Sequence, residues 1–152
     1  MLAAGYGRIV LTTSQAGLFG QTGGAAYASS KAAMIGLERS IARDVGDADI
    51  RINLVAPAAF TPMSQRHIDP KWSEYLSPAK VAPVVGWLSS TACRGSGTIF
   101  NAGAGRVRRV KILESTPVEI PGDDMSACWP ARPASRTARP AGARHREWNL
   151  GA

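Results

Sequence analysis

The first half of the chain alternates between short apolar runs and one longer stretch with helical spacing. Residues 8–13 form a β-branched run followed by small residues, which predicts a buried parallel strand. Residues 14–24 contain four glycines and no apolar period, which predicts a loop. Residues 25–45 carry apolar side chains at helical spacing, and Gly46 follows as a stop signal. The pattern therefore predicts a strand, a loop and a helix in that order.

A similar alternation continues further along the chain. Residues 50–57 predict a second strand that ends at a proline. Residues 77–90 predict a helix with a serine cap and a proline at its first position, and Pro83 is expected to kink it. Residues 97–105 predict a third strand that runs into a glycine-rich end. Strands that alternate with helices predict an α/β fold with a parallel sheet and right-handed crossovers.

Composition narrows the class of protein. A chain of 152 residues with 45% hydrophobic and 19% charged residues is typical of one globular domain with a real core. No apolar run approaches the roughly 20 residues of a membrane span, and the N-terminus lacks the basic region of a signal peptide. Cys93 and Cys128 form neither a metal-ligand pattern nor a disulfide framework. These features predict a cytoplasmic protein with no metal site.

The net charge of +7 is denser towards the C-terminus. Residues 1–105 carry nine Lys/Arg against six Asp/Glu, whereas the shorter remainder carries nine against five. The stretch 129–148 mixes Arg, Pro and Ala with no apolar period, which is typical of a solvated, disordered tail. Nucleic-acid binding by this tail is a disfavoured alternative, because neither aromatic interleaving nor a folded basic face supports it.

Three polar side chains form a candidate catalytic set. Ser14, Tyr27 and Lys31 are separated by 13 and then four residues. Tyr27 and Lys31 would lie one turn apart on a helix, where a cationic lysine favours the phenolate and suits the tyrosine to proton transfer. Ser14 would follow a strand end and could hold a substrate oxygen. The set suits the interconversion of an alcohol and a carbonyl, with a nicotinamide cofactor to carry the hydride. The tyrosine–lysine pair and the serine are each also common by chance, because such a lysine is usually solvated and such a serine is usually a turn residue.

The segment "GRIVLTTSQAGLFGQTGGAAYASSKAAMIGL" closely resembles the active-site segment of short-chain dehydrogenases/reductases. The resemblance implies catalytic roles for Ser14, Tyr27 and Lys31. It also places Tyr27 and Lys31 among the cofactor-binding residues, with Lys31 holding the nicotinamide ribose. The segment "INLVAPAAFTPM" resembles a later family segment, which implies that Pro57 packs near the nicotinamide and Thr61 binds its carboxamide. It also implies a structural role for Asn53. The family usually has glycine at the position of the alanine that follows Pro57, which is a mild departure.

Residues 76–107 narrow the resemblance to the dehydrogenase domain of D-specific multifunctional enzymes of β-oxidation and bacterial relatives. Those enzymes oxidise (3R)-hydroxyacyl-CoA to 3-ketoacyl-CoA with NAD. The alternative for this stretch is simple core packing by its apolar residues. The whole resemblance covers residues 7–107, about two-thirds of the chain. It implies part of a Rossmann-like doubly wound parallel sheet in residues 1–107, the second half only, followed by an irregular basic tail in residues 108–152.

The family's glycine-rich pyrophosphate turn and its ribose selector are expected ahead of residue 7, and neither is found there. The glycines of residues 20–24 follow the serine, so a phosphate-loop interpretation of them is disfavoured. We therefore expect the C-terminal half of a dehydrogenase that is inactive alone, with NAD or NADP as its cofactor and an alcohol, ketone or acyl-CoA as its substrate. The alternative is a non-catalytic fragment that associates with a full-length relative. Short-chain enzymes commonly dimerise through the matching helix, which implies a homo-oligomer or pairing with a related chain.

Overall fold

A computed structural model describes residues 1–114, 117, 119 and 122. The chain divides into two units, Met1–Lys111 and Ile112–Ala152. The first unit is described completely, and it contains every helix and strand discussed below. Most of the tail predicted for residues 108–152 lies outside the described residues.

Four strands form one sheet in the order of the chain. They are β1 (Tyr6–Thr12), β2 (Asp49–Ala58), β3 (Thr98–Gly103) and β4 (Arg106–Val110). β1, β2 and β3 are parallel, whereas β4 runs antiparallel to β3. The predicted α/β fold with a parallel sheet is confirmed.

β4 is an addition that the sequence pattern did not predict. A two-residue turn joins it to β3, and both turn residues, Ala104 (φ 54°) and Gly105 (φ 72°), adopt positive φ. Such a turn matches the twist of an antiparallel hairpin. The chain therefore reverses after β3 instead of entering another crossover.

Three α-helices connect or flank these strands: α1 (Gln15–Phe19), α2 (Ala25–Asp44) and α3 (Ala82–Leu88). α2 matches its prediction closely. The prediction of a continuous loop over residues 14–24 was wrong, because α1 lies within it. The helix predicted over residues 77–90 is divided into a 3₁₀ turn, Pro78–Lys80, and α3. Pro83 lies in the first turn of α3, where its missing N–H costs least.

The two faces of β2 are covered by different helices. Val55 belongs to a core cluster with Val81 and Leu88, at the start and end of the α3 region. Ile52 and Leu54 are fully buried, and strand alternation directs them to the opposite face. There α2 contacts both β1 and β2. The sheet is thus covered on both sides, as in a doubly wound fold.

The Arg8 side chain ties three elements together at the amino end of β1. Its guanidinium donates to the main-chain oxygens of Gly7, Asp49 and Ser90, and also to the Asp49 carboxylate at 3.1 Å. Only 3% of the side chain is exposed. This cluster links β1, β2 and the residues after α3 at the sheet end opposite the strands' carboxyl termini.

The described residues contain neither a candidate membrane span nor a candidate metal-binding cluster. None of their helices combines the length and the hydrophobicity that a membrane span requires. Within the same part of the chain, no cluster of three or more His, Cys, Asp or Glu side chains could hold a metal ion.

Candidate active site

Ser14 lies directly beyond the carboxyl end of β1 and begins α1. The preceding residue, Thr13, donates its N–H to the Val55 carbonyl of β2 at 2.8 Å, which fixes the strand end. The Ser14 Oγ accepts a hydrogen bond of 3.1 Å from the N–H of Ala16 and so caps the helix. The cap uses Ser14 as an acceptor, and its own O–H proton is left to donate to a ligand oxygen.

Two hydrogen bonds hold the turn of α2 at Lys31 against the end of β1. The buried Thr13 hydroxyl donates to the Lys31 carbonyl at 2.7 Å. The Lys31 ammonium donates to the Thr12 carbonyl at 3.0 Å. Because Thr12 and Thr13 directly precede Ser14, these contacts bring the predicted serine and lysine into one region.

A close approach of main chains reinforces this arrangement. A Cβ atom at Gly17 of α1 would lie 2.7 Å from the Lys31 carbonyl carbon and 2.8 Å from the Ala32 nitrogen. No Cβ fits at such distances from main-chain atoms, so glycine is required there. Gly17 therefore lets α1 pack directly on the lysine turn of α2.

Tyr27 lies one turn before Lys31 in the first turns of α2. Its side chain is 44% exposed, and the Lys31 Nζ lies 5.8 Å from the centre of its ring. The lysine charge therefore lies beside the tyrosine ring, although the ammonium donates its described hydrogen bond to Thr12. This is the neighbourhood in which a tyrosine can exchange a proton with a bound oxygen.

The structure places the two other predicted residues near the carboxyl end of β2. Pro57 is exposed and lies opposite Ala102 of β3. Thr61 follows the strand, and its hydroxyl lies 3.3 Å from that of Ser64, which also accepts the Thr61 N–H at 2.8 Å. Among the described residues, no hydrogen bond joins Pro57 or Thr61 to the Ser14, Tyr27 and Lys31 group. Pro57 and Thr61 lie at the same edge of the sheet as the Ser14 group only because the carboxyl ends of parallel strands meet there.

Ala58 is accommodated by its neighbour on β3. A Cβ atom at Gly103 would lie 2.7 Å from the Ala58 oxygen and 2.8 Å from its Cβ. The alanine that departs from the family pattern thus occupies space that Gly103 leaves open. Asn53, deeper in β2, has the structural role that the resemblance implied: its side chain bonds the Gly95 carbonyl and the Thr98 N–H.

One polar contact at the carboxyl end of the sheet was not predicted from the sequence. The Gln15 amide donates to the Asn101 side-chain oxygen at 3.4 Å, and so links the start of α1 to β3. The two residues are 86 positions apart, and no local pattern pairs them. The position of Gln15 immediately after Ser14 was the only available signal.

The comparison with known proteins identifies the family of this unit. Residues 1–71 match the family model for short chain dehydrogenase. A Mycobacterium tuberculosis protein named as a short-chain type dehydrogenase/reductase is 37% identical over 108 residues, which cover 71% of this chain and 38% of that protein. The chain belongs to the short-chain dehydrogenase/reductase family.

Two solved structures extend the likeness beyond the matched segment. Full-length peroxisomal multifunctional enzyme type 2 from Drosophila melanogaster superposes with a TM-score of 0.64 and 25% identity, over 84% of this chain and 26% of that one. A 7α-hydroxysteroid dehydrogenase solved with NADH superposes with a TM-score of 0.59 and 32% identity, over 69% and 46%. The chain spans less than half the length of each of these relatives.

Proposed function

We propose that this chain carries the proton-transfer half of an NAD(P)-dependent oxidoreductase that interconverts a secondary alcohol and a ketone. The observation that supports it most directly is the contact network of Thr12, Thr13 and Lys31, which gathers Ser14 and the Tyr27–Lys31 turn at one strand end. The likeness to a dehydrogenase solved with NADH supports a nicotinamide cofactor.

Each of the three side chains takes a distinct part in alcohol oxidation. The Ser14 O–H donates to the substrate oxygen and orients it. The Tyr27 phenolate accepts the proton of the alcohol O–H as the carbonyl forms, and in the reverse direction the phenol returns it. Lys31 keeps its positive charge 5.8 Å from the centre of the Tyr27 ring, next to the residue that exchanges the proton. The bound nicotinamide supplies the chemistry of hydride acceptance.

The donor set of this chain fits the ribose of such a cofactor. The Lys31 ammonium has three donors and uses one on the Thr12 carbonyl, which leaves two for ribose hydroxyls. Pro57 would pack against the nicotinamide, and Thr61 would bind its carboxamide once Ser64 yields the threonine hydroxyl. Whether NAD or NADP is used depends on the adenosine end, for which this sequence offers no selector motif.

We assign 3-hydroxyacyl-CoA as the substrate class, because residues 76–107 resemble the dehydrogenase domain of multifunctional β-oxidation enzymes. The likeness to a peroxisomal multifunctional enzyme supports that choice. We further propose that turnover needs a glycine-rich nucleotide-binding segment, since no such strand-to-helix turn occurs in this sequence. The cytoplasmic setting stays a prediction.

The test is complementation followed by a single substitution. Supplied together with the nucleotide-binding half of a relative, the chain should oxidise 3-hydroxybutyryl-CoA with formation of NADH or NADPH, measured by absorbance. Tyr27→Phe should lower kcat at least about 100-fold, because a positioned acid or base contributes roughly 10²–10⁴ in rate. Tyr6→Phe, at a tyrosine of similar exposure on β1, is the matched control and should leave kcat unchanged. Undiminished turnover by Tyr27→Phe would refute the assigned role.

A second candidate function is a non-catalytic one, in which the chain pairs with a full-length relative. Two observations favour it: within the described residues β1 pairs with β2 alone, and Glu38 is the sole residue of α2 that is buried. An open strand edge and an uncovered helix invite association. Co-purification with a tagged relative and light scattering test it, and a stable monomer that captures no relative would argue against it.

A further inference from the structure

A cluster of two aromatic rings and two lysines lies in the segment that connects β2 to α3. Trp72 and Tyr75 meet edge to face, with ring centres 5.9 Å apart and planes at 63°. The Lys71 ammonium lies 5.7 Å from the centre of the Trp72 ring, and the Lys80 ammonium lies 5.3 Å from that of Tyr75. We refer to Lys71, Trp72, Tyr75 and Lys80 as the aromatic–lysine cluster.

Main-chain hydrogen bonds of Leu76 hold together the segment that carries the cluster. Leu76, which is buried, accepts a hydrogen bond of 2.7 Å from the Phe60 N–H, and donates its own N–H to the Trp72 carbonyl at 2.8 Å. Phe60 directly precedes Thr61. These main-chain hydrogen bonds therefore connect the aromatic pair to the part of the segment that carries Thr61, at the carboxyl end of β2.

The charges of the cluster are available to an anion. Lys71 pairs with Asp69 at 3.2 Å, but more than half of each side chain is exposed, and such surface pairs contribute little. Lys80 donates to the neutral Tyr75 carbonyl at 3.3 Å, so no carboxylate neutralises it in this contact. Across residues 66–80, the three Lys/Arg side chains outnumber the two carboxylates of Asp69 and Glu74.

Aromatic faces beside cations bind flat bases that carry phosphates. Base–aromatic stacking is insensitive to base identity, and lysine binds phosphate as a point charge. Trp72 and Tyr75 are each partly buried, so their rings are held in place while part of each surface stays open. This combination matches an adenosine that bears phosphate groups.

We propose that the aromatic–lysine cluster binds the 3′-phosphoadenosine end of coenzyme A, which makes this chain selective for CoA thioesters over carrier-protein thioesters. The inference rests on the proposed function for its substrate class. A carrier-protein thioester has the pantetheine arm but no adenosine, so the cluster would have nothing to stack or pair with. Trp72 would stack on the adenine, while Lys71 and Lys80 would bind phosphate.

The test is direct binding to the full chain, measured by calorimetry with coenzyme A, dephospho-coenzyme A, pantetheine and NADP. Coenzyme A should bind most tightly, dephospho-coenzyme A more weakly, and pantetheine without measurable heat. Trp72→Ala should weaken coenzyme A binding roughly ten- to a hundredfold, as loss of a stacked base does. Trp72→Phe should retain most of the affinity, and it keeps the test valid if the alanine variant is unstable. The double variant Lys71→Gln/Lys80→Gln should erase the preference for coenzyme A over its dephospho form.

Two matched controls define the result. Trp87→Ala removes a half-exposed tryptophan outside the cluster, and Lys111→Gln removes another exposed lysine; neither should change the affinity. Failure of coenzyme A to bind, or equal losses for Trp72→Ala and Trp87→Ala, would overturn the proposal. Tighter binding of NADP with the same dependence on Trp72 would assign the cluster to the cofactor instead, and would equally overturn it.

The same titration separates this proposal from the catalytic one. Tyr27→Phe should bind coenzyme A with unchanged affinity, because Tyr27 has no part in the cluster. Binding without any turnover in the complemented enzyme would remove the proposed function and leave the cluster's ligand standing. Turnover of a pantetheine thioester without coenzyme A binding would remove the cluster's proposed ligand and leave the proposed function standing.

Discussion

At the scale of single residues, Glu38 stands out because it is charged and fully buried. Its exposed fraction is 0%, and neither carboxylate oxygen has a hydrogen-bond partner among the residues that the structure describes. Burial raises the pKa of the Glu38 carboxyl above its ordinary value, and the neighbouring Arg39 opposes the shift only in part. A buried polar group without a partner costs roughly 1–3 kcal/mol.

This residue predicts a loss of stability as the pH rises. A raised pKa means that the folded state holds the proton more tightly than the unfolded state, so stability is greatest below the unfolded value near 4.5 and falls as the pH passes the folded value. Glu38→Gln removes the ionisation and should raise the free energy of unfolding at pH 7 by roughly 1–2 kcal/mol. Urea unfolding at several pH values measures this.

A second carboxylate on the same helix provides the control. Asp44→Asn, at an exposed position of α2, should leave the pH dependence above 4.5 as it is in the parent chain. If Glu38→Gln unfolds with the parent's pH profile, the buried carboxylate is not its source.

At the scale of elements, the packing of α1 on α2 depends on Gly17. Gly17→Ala would place a methyl group against the main chain of Lys31 and Ala32 and push α1 away. We expect a loss of roughly 1–3 kcal/mol in the free energy of unfolding, typical of overpacking. Chemical denaturation measures it.

Gly36 in α2 supplies a matched glycine. A Cβ atom there would meet nothing within 4 Å, so Gly36→Ala should stabilise the helix by up to about 1 kcal/mol. Effects of opposite sign for the two substitutions, destabilising at Gly17 and stabilising at Gly36, are the expected result. A neutral Gly17→Ala would show that α1 tolerates displacement from the lysine turn.

The sequence predicted those elements whose own residues carry the signal. The helix at residues 25–45 and the three parallel strands have clear periods, and the structure contains each of them within two residues or so. α1 has five residues including a glycine, and its stability comes from the Ser14 cap and the contact with α2, which no local window contains. β4 reads as a basic run, because its side chains are mostly exposed and only pairing with β3 makes it a strand.

The candidate site likewise contains residues that a local sequence signal predicted and contacts that it did not. Ser14, Tyr27 and Lys31 were found because their spacing sits on a recognisable strand–loop–helix segment, although their roles stay predictions. The Gln15–Asn101 contact and the Thr61–Ser64 pair were not found, because they depend on where the chain folds back in three dimensions. Long-range side-chain pairs of this kind leave no period in the sequence.

At the scale of the whole described unit, the Arg8 cluster joins elements that are distant in the chain. The Arg8 guanidinium holds the pKa of the Asp49 carboxyl below its ordinary value, chiefly through their hydrogen bond, with Arg51 assisting. A lowered pKa gives stability that is present above the unfolded value near 3.8 and lost as the pH falls through the folded value.

The cluster therefore predicts a sensitivity to acid. Asp49→Asn should flatten the fall in thermal midpoint below about pH 3.8, where the parent chain loses this contribution as the pH falls through the lowered pKa of Asp49. Arg8→Met, which also removes the bonds to three main-chain oxygens, should cost at least about 2 kcal/mol at neutral pH. Calorimetry from neutral pH down into the acid range checks both, with Asp47→Asn on the adjoining turn as the control. An unchanged acid profile in Asp49→Asn would show that the ion pair contributes nothing to it.

The hairpin after β3 has a practical consequence. Because β4 runs back along β3, its last residue, Val110, pairs with Ile99 near the amino end of that strand. The next residue, Lys111, is exposed and lies at the sheet end remote from Ser14 and Tyr27. A fluorophore or surface tether attached through Lys111 would thus leave the candidate site open, which makes it a natural anchor for immobilising the protein on a sensor chip.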